Sequence, residues 1–410
     1  LTVSSGTLNI YGNISSGASS FFNQSGGDIN IDGNAGGVAA NSVASGAALL
    51  ALNQLNSGIN LTGGVLTIVD PHANATASNV IGVNNATAGS QTSTSNHTLN
   101  LGNGVSMDAG GNAAGFKIDP WTSTAYLSFG NIVINGPTGT NRNVTPAYAL
   151  AAVGNVTINN GGSLTPGTQS IIFGGNFTQN PGGTFTTTGG LSAAIVSSNT
   201  NSALSFSSSS LQQIISGVSP TLALTSLTVF NSNNSGVSFA SGITPSVSSS
   251  ITVINGKLNA DALTLNGTAT QIVTLTAATS NINVGNFTLN NANGALLNST
   301  GSGFVNVTGV YTNTAGTLEP GGRLTLKSTA SGTARVAPIS SGGINGNVNV
   351  ERYIPISNRA FRFLTPSVTT TGTIKANWQE GATSNTANPN PGFGTHITGN
   401  TVDKTNGFDA

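Results

Sequence analysis

Carboxylates are the side chains of this sequence with the clearest potential for chemistry, because glycoside hydrolysis needs two of them about 5 to 9.5 Å apart. The first 340 residues contain seven: Asp28, Asp32, Asp70, Asp108, Asp119, Asp261 and Glu319. Asp28 and Asp32 share one face of a predicted strand, where four residues span ~13 Å. That distance is too long for a dyad, and the following strand offers Asn60. We therefore expect a solvated polar ladder and no catalytic residue.

Metal and cofactor sites are not expected either. The three histidines, His72, His97 and His396, have no histidine partner two or four residues away, as a metal site on one strand or helix would have. The chain has no cysteine, so it has no thiolate ligand and no thiol nucleophile. Its G-x-G fragments do not open a helix, which phosphate binding would require.

Three side chains are candidates for contact with a ligand. Trp121 lies in the loop Lys117–Trp121 and could stack on a sugar ring, although a buried anchor is the alternative. Trp378 and Arg362 lie near the C-terminus, where the tryptophan could form a sugar platform. Core packing is the alternative for Trp378. Structural salt bridges and charges that protect a strand edge are the alternative for Arg362 and its charged neighbours.

Charge and hydropathy exclude several classes of partner. Charged residues make up 5 % of the chain, against roughly 25 % in ordinary soluble domains, and residues 143–256 carry none. Without Lys and Arg clusters, the chain has no electrostatic footprint for nucleic acid or for an anionic membrane. No apolar run approaches the ~20 residues of a membrane span. The sequence therefore predicts a protein that neither spans a membrane nor binds nucleic acid.

The element that must position these residues is a short strand repeated along the chain. Val153–Gly167 contains alternating apolar residues, an Asn-Asn-Gly-Gly turn, a second strand and a Pro-Gly turn. Related segments recur every twenty to thirty residues, which is typical of a solenoid. We predict an all-β fold: a right-handed parallel β-helix with roughly 22 to 28 residues per turn, lined by Val, Ile, Leu and Phe. Outward Asn and Thr are expected to stack into hydrogen-bonded ladders.

The repeat region is predicted to cover residues 1–340. Loop excursions are predicted near 38–57, 70–96 and 108–124, and the helical spacing of Ala47–Leu52 favours a short helix or loop in the first. Residues 341–347 form a predicted linker. The charged segment 348–410 is interpreted as the start of a β-sandwich-like module.

The C-terminal segment also resembles a known module. Val350–Pro355 (VERYIP), Arg359–Pro366 (RAFRFLTP), Asn377–Gly381 (NWQEG) and Pro391–Gly399 (PGFGTHITG) are similar to a module of large secreted surface proteins of the Bacteroidetes. In that family the module follows long β-repeat regions and precedes a C-terminal sorting domain. The resemblance implies export through the type IX secretion machinery as a partner. It also implies an extracellular or outer-membrane-attached location.

The sequence therefore favours a non-catalytic adhesin or stalk segment, without cofactors, that contacts surface polysaccharide or neighbouring copies. A carbohydrate-active β-helix, either a polysaccharide lyase or a glycoside hydrolase, is the alternative. A third reading is a flat ice- or crystal-binding face, which needs a Thr-x-Thr ladder; Thr184–Thr188 is the candidate run. The absence of an initiator Met leads us to expect a piece of a longer, processed polypeptide.

Overall fold

The structure is a computed structural model. It describes residues 1–16, 21–32, 49–52, 58–70, 81–83, 91–105, 115–119, 121–122, 125–126, 128–136, 142–200, 203–207, 209–299 and 301–353, together with residues 369 and 371. These residues form strands, turns and irregular segments, with no helix among them. The chain divides into two compact units, Leu1–Tyr353 and Ile354–Ala410. The predicted β-sandwich-like module, 348–410, lies almost entirely outside the described residues and stays a prediction.

Parallel pairing dominates the first unit, which contains one 28-stranded sheet and one 7-stranded sheet. The longest run of paired strands, which we call the first series, contains fourteen strands, each parallel to the next. They are Thr7–Ile10, Phe22–Asp32, Ile59–Asp70, His97–Leu101, Asn131–Ile134, Val156–Ile158, Phe177–Gln179, Gln213–Ser216, Val237–Phe239, Lys257–Leu265, Asn281–Asn290, Val305–Val307, Leu324–Leu326 and Asn349–Val350.

A second series belongs to the same large sheet and is also parallel throughout. Its first part pairs Thr2–Val3 and Gln91–Ser93 with the opening residues of Phe22–Asp32 and Ile59–Asp70. Its second part contains Ser128–Phe129, Leu150–Ala152, Ile171–Phe173, Leu191–Ala193, Ala223–Phe230, Ser246–Asn255, Gln271–Leu275, Ala295–Ser299, Thr317–Glu319 and Gly343–Ile344.

The third series begins as the 7-stranded parallel sheet, which contains Ile14–Ser16, Leu50–Leu52, Ile81–Val83, Phe116–Asp119, Arg142–Pro146, Gly162–Gly167 and Thr184–Thr187. It resumes in the large sheet, where Val310–Ala315 pairs with the second half of Asn281–Asn290 on one side and with Arg335–Val336 on the other. Leu50–Leu52 is therefore a strand and neither the short helix nor the loop that was predicted there. Local helical spacing is overridden because Leu50 pairs with Ile14 on one side and Ile81 on the other.

Within the described ranges, three antiparallel hairpins interrupt the parallel order. They pair Trp121–Thr122 with Ala125–Tyr126, Ile195–Thr200 with Ala203–Ser207, and Ser328–Thr329 with Gly332–Thr333. The segments predicted as excursions near 70–96 and 108–124 contain strands of the series as well as connections, among them Ile81–Val83 and Phe116–Asp119.

A single continuous core contains residues from all three series. Val156 and Ile158 are fully buried, as the alternation of the Val153–Gly167 motif predicted, whereas Val153, expected to point inward as well, is half-buried. In most of the parallel pairings the partners lie 18 to 26 positions apart. Each apolar side chain therefore stacks on its counterpart in the neighbouring strand, for example Leu8 on Ile29 and Ile29 on Leu66.

Candidate interaction surfaces

The three predicted ligand contacts are not brought together by the described structure. Trp121 lies in the two-residue strand Trp121–Thr122, whose backbone pairs antiparallel with that of Ala125–Tyr126. Arg362 and Trp378 fall outside the described residues. Contact of these three residues with a ligand therefore stays a prediction.

The acidic residues have an arrangement that sequence reasoning missed. Asn60 pairs with Asn23, whereas Asp70 is the register partner of Asp32 in the adjacent strand. The register shifts by one residue between Ile31, which pairs with Ile68, and Asp32, which therefore pairs with Asp70. Neighbouring strands lie ~4.8 Å apart, so the backbones of two acidic residues are adjacent here. The expectation that Asn60 is the residue offered to Asp28 and Asp32 is wrong, because Asp28 pairs with Val65 and Asp32 with Asp70.

Asp261 has a structural role. The Asp261 carboxylate accepts hydrogen bonds from the Gly242 backbone N–H, at 3.0 Å, and from the Ser241 hydroxyl, at 2.8 Å. These two donors lower the pKa of Asp261 below its ordinary value. Among the residues that the structure describes, no three His, Asp or Glu side chains form a group that could hold a metal ion.

Asparagine ladders cover the outward side of the first series, which we call the asparagine face. Ser238, Asn259, Asn283 and Asn306 are successive register partners. The Asn283 amide donates to Asn259 Oδ1 and the Asn306 amide to Asn283 Oδ1, both at 2.9 Å. Asn259 donates in turn to Ser238 Oγ at 3.2 Å. The predicted hydrogen-bonded ladder is confirmed for asparagine.

A second ladder is formed by the asparagines that directly follow three strands of the first series, Asn131–Ile134, Val156–Ile158 and Phe177–Gln179. The Asn159 amide donates to Asn135 Oδ1 at 2.7 Å, and the Asn180 amide donates to Asn159 Oδ1 at 2.6 Å. In both ladders each amide binds the next, so these groups satisfy one another. The asparagine ladders therefore stabilise the stack of strands and leave few hydrogen-bonding groups for a ligand.

The outward side of the second series is different from residue 223 onwards. We call it the threonine face and define it by two columns of register partners: Ser226, Ser250, Ile272 and Leu296, and beside them Thr228, Thr252, Thr274 and Asn298. The columns lie two residues apart on each strand, or ~6.7 Å, and the rows are ~4.8 Å apart. Ile272 and Leu296 are exposed at 44 % and 37 %.

The interior contains buried amides at the beginnings of strands, and we call each such place a corner. Gln213 donates to the carbonyls of Phe173 and Gly175 at 2.9 and 3.0 Å, and its Oε1 accepts from Asn231 at 2.8 Å. Gln271 and Asn291 are joined in the same way, at 3.0 Å. Periodic Gln followed about 20 residues later by Asn is a signal that sequence reasoning could have used.

A third corner pairs Gln24 with a histidine. Gln24 donates to the Val65 carbonyl at 2.9 Å, and its Oε1 lies 3.3 Å from His97 Nε2. Because that oxygen is an acceptor, Nε2 carries the proton of the neutral ring. Nδ1 is buried without a hydrogen-bond partner among the described residues. Burial lowers the pKa of His97 from 6.5 to about 4.

We expect mild acid to destabilise the protein through His97. Because the folded-state pKa is depressed, the unfolded chain binds the proton more readily, so stability is complete above pH 6.5 and falls as the pH drops towards 4. Between pH 7 and pH 5 the expected loss is about 2 kcal/mol. Urea unfolding at both pH values would measure it, with His97→Leu as the non-titrating control. An equal pH dependence in the two proteins would contradict the assignment.

The only ion pair with both partners described joins Lys327 of the predicted repeat region to Glu351 of the segment 348–410. The Glu351 carboxylate binds Lys327 Nζ and also accepts the Ser328 backbone N–H, at 3.2 Å. Glu351 is the second residue of the VERYIP segment. Its ion pair with Lys327 is a structural salt bridge of the kind expected for the charges of that segment.

Within the residues that the structure describes, no helix is long and apolar enough to cross a membrane. Comparison of the chain with protein-family profiles, with curated proteins and with solved structures found no match. The interpretation of function therefore depends on the geometry of this chain itself.

Proposed function

We propose that the repeat region is a right-handed parallel β-helix that serves as a non-catalytic extracellular stalk or adhesin segment. The observation that carries this proposal is the first series: fourteen parallel strands in order, with strand partners 19 to 24 residues apart in nine of the thirteen pairings. Thirteen pairings at ~4.8 Å give a stack about 60 Å long. Parallel strands joined by crossovers are right-handed in about 98 % of cases, which supports the proposed hand.

The surface chemistry supports a mechanical and adhesive role. Backbone ladders and asparagine ladders resist separation of the strands along the stack, because each turn is hydrogen-bonded to both neighbours. The polar, nearly uncharged sides offer hydrogen-bonding groups to surface polysaccharide or to a neighbouring copy of the chain. Such a stalk would hold a binding end away from the cell.

We also propose export by the type IX secretion system and a location at the cell surface or outside the cell. The support is the resemblance of Val350–Pro355 and the segments after it to Bacteroidetes surface proteins. Expression in a type IX-competent bacterium with and without the secretion machinery would test it, because surface labelling of the parent protein should disappear when the machinery is absent.

Incubation with polysaccharides tests the absence of catalysis. We expect the full chain to release neither reducing ends nor unsaturated ends from a panel of neutral and acidic glycans, since its acids are few and the Asp261 carboxylate is bound to the Gly242 backbone N–H. Release of new ends above a heat-denatured control would contradict the proposal.

A glycan-active β-helix is the second candidate, and one observation favours it. Asp32 and Asp70 are register partners, so the backbones of two acidic residues lie ~4.8 Å apart on adjacent strands, and glycosidases act with a pair of neighbouring carboxylates. If activity were found, the double variant Asp32→Asn with Asp70→Asn would abolish it. Asp28→Asn is the matched control, because Asp28 is exposed on the same strand and pairs with Val65.

A further inference from the structure

The threonine face differs from the asparagine face in how its polar groups are used. The amides of Asn259, Asn283 and Asn306 bind one another, whereas the hydroxyls of Thr228, Thr252 and Thr274 make no hydrogen bond within the described part of the chain. These hydroxyls are directed outward, because Leu227, Ile251 and Val273 beside them are buried. A regular column of hydroxyls is therefore free to bind a ligand.

The apolar members of this face are also exposed, unlike their counterparts earlier in the same series. There the outward residues Ala151 and Ile172 are 0 % and 4 % exposed, and the hairpin strand Ile195–Thr200 lies against their strands. The chain thus covers outward apolar surface in one part of the series. Ile272 and Leu296 have no such cover among the described residues, so their surface is available to a partner.

We propose that the threonine face binds an uncharged polysaccharide chain lying along its columns. This inference rests on the proposed adhesive function and assigns it to a surface and a ligand class. A pyranose has hydroxyl groups at its edge and C–H groups on its faces, which match the threonine column and the Ser226-to-Leu296 column beside it. The row spacing of ~4.8 Å is of the same order as one sugar unit in an extended polymer, so successive units meet successive rows.

Charge argues for a neutral ligand. None of the eight side chains in the two columns is charged, and the nearest acid in register, Glu319, follows Leu296 and binds Asn345 at 2.7 Å. A charged glycan would lose hydration here without gaining an ionic partner. An added peptide strand is disfavoured too, because the backbone groups of these strands already pair on both sides. Several weak contacts in a row add up along a polymer.

The test compares two columns of threonine on the full chain. Thr228→Val, Thr252→Val and Thr274→Val are combined in one variant, which removes three hydroxyls and keeps the β-branched shape. The matched control combines Thr264→Val, Thr288→Val and Thr312→Val, a second in-register threonine column on another face. Depletion of each protein from solution onto suspended cellulose, chitin and β-1,3-glucan is measured, with alginate as the anionic comparison.

We expect the wild-type chain to bind at least one neutral polysaccharide. The first triple variant should bind it about tenfold more weakly, and the control should stay within about twofold. Ile272→Asp should also abolish binding, because it places a charge among the apolar contacts. Equal melting temperatures of the wild type, the two triple variants and Ile272→Asp show that folding is retained.

Three results would overturn the proposal. One is no depletion onto any neutral polysaccharide, and another is equal loss of binding in both triple variants. The third is inhibition of ice growth by the wild type, without polysaccharide binding, that disappears in the first triple variant; the face would then bind an ordered water lattice. None of these results involves the release of sugar ends, so they leave the test of the non-catalytic function separate.

Discussion

Replacing Gly256 with alanine should destabilise the protein by about 4 kcal/mol or more. Gly256 joins Ser246–Asn255 to Lys257–Leu265 with φ at 86°, a left-handed conformation that favours glycine. An added Cβ would lie 1.7 Å from the Asn231 carbonyl oxygen of the preceding turn. That oxygen belongs to the backbone, so the two turns must separate to make room. Urea unfolding and the melting temperature would measure the loss.

Gly242→Ala is the matched control. Its φ is also 86°, but a Cβ at this position would meet no atom within 4 Å. The expected change is about 1 kcal/mol, due to the left-handed backbone alone. Because contacts run between neighbouring turns, hydrogen exchange in the Gly256 variant should rise first in the strands on either side of it. Similar losses in the two variants would show that close approach of the turns is not the cause.

Replacing Gln213 with leucine should cost about 3 kcal/mol. The side chain is fully buried and makes three hydrogen bonds, two to carbonyls and one from Asn231. Leucine fills a similar volume but pairs with none of these groups, so buried polar atoms lose their partners. The free energy of unfolding is again the measurement.

The neighbouring residue provides the control for this prediction. Gln212 is exposed, so Gln212→Leu applies the same chemical change one position away and should shift stability by less than about 0.5 kcal/mol. If the two variants unfolded alike, the buried amide corners would be dispensable. In that case the pairing of Gln213 with Asn231, and that of Gln271 with Asn291, would not specify the position of one turn on the next.

Local pattern was enough to predict the strands and their orientation. The alternation in Val153–Gly167 predicted that Val156 and Ile158 are buried and that Thr157 faces outward. The asparagines that follow such strands predicted ladders, because equal positions in successive turns are brought into register. Leu50–Leu52 was misjudged because its helical spacing says nothing about the strands on either side of it.

Predicting the surfaces requires the register between neighbouring strands, and a local sequence pattern does not contain that information. Thr228, Thr252 and Thr274 lie 24 and 22 residues apart, and insertions elsewhere make the number of residues per turn irregular, so their alignment could not be counted from the chain. The same holds for Asp32 and Asp70, which meet because the pairing of their strands contains irregularities.

By itself, the amino-acid sequence determined that this chain is β-structured, nearly uncharged and lined with aliphatic side chains, because those properties depend on composition and on a period of two residues. The tertiary structure alone decided which hydroxyls are left unbonded and which amides bind each other. Hydrogen bonds between turns depend on ångström distances between residues some twenty positions apart, and those distances follow from how all the turns stack.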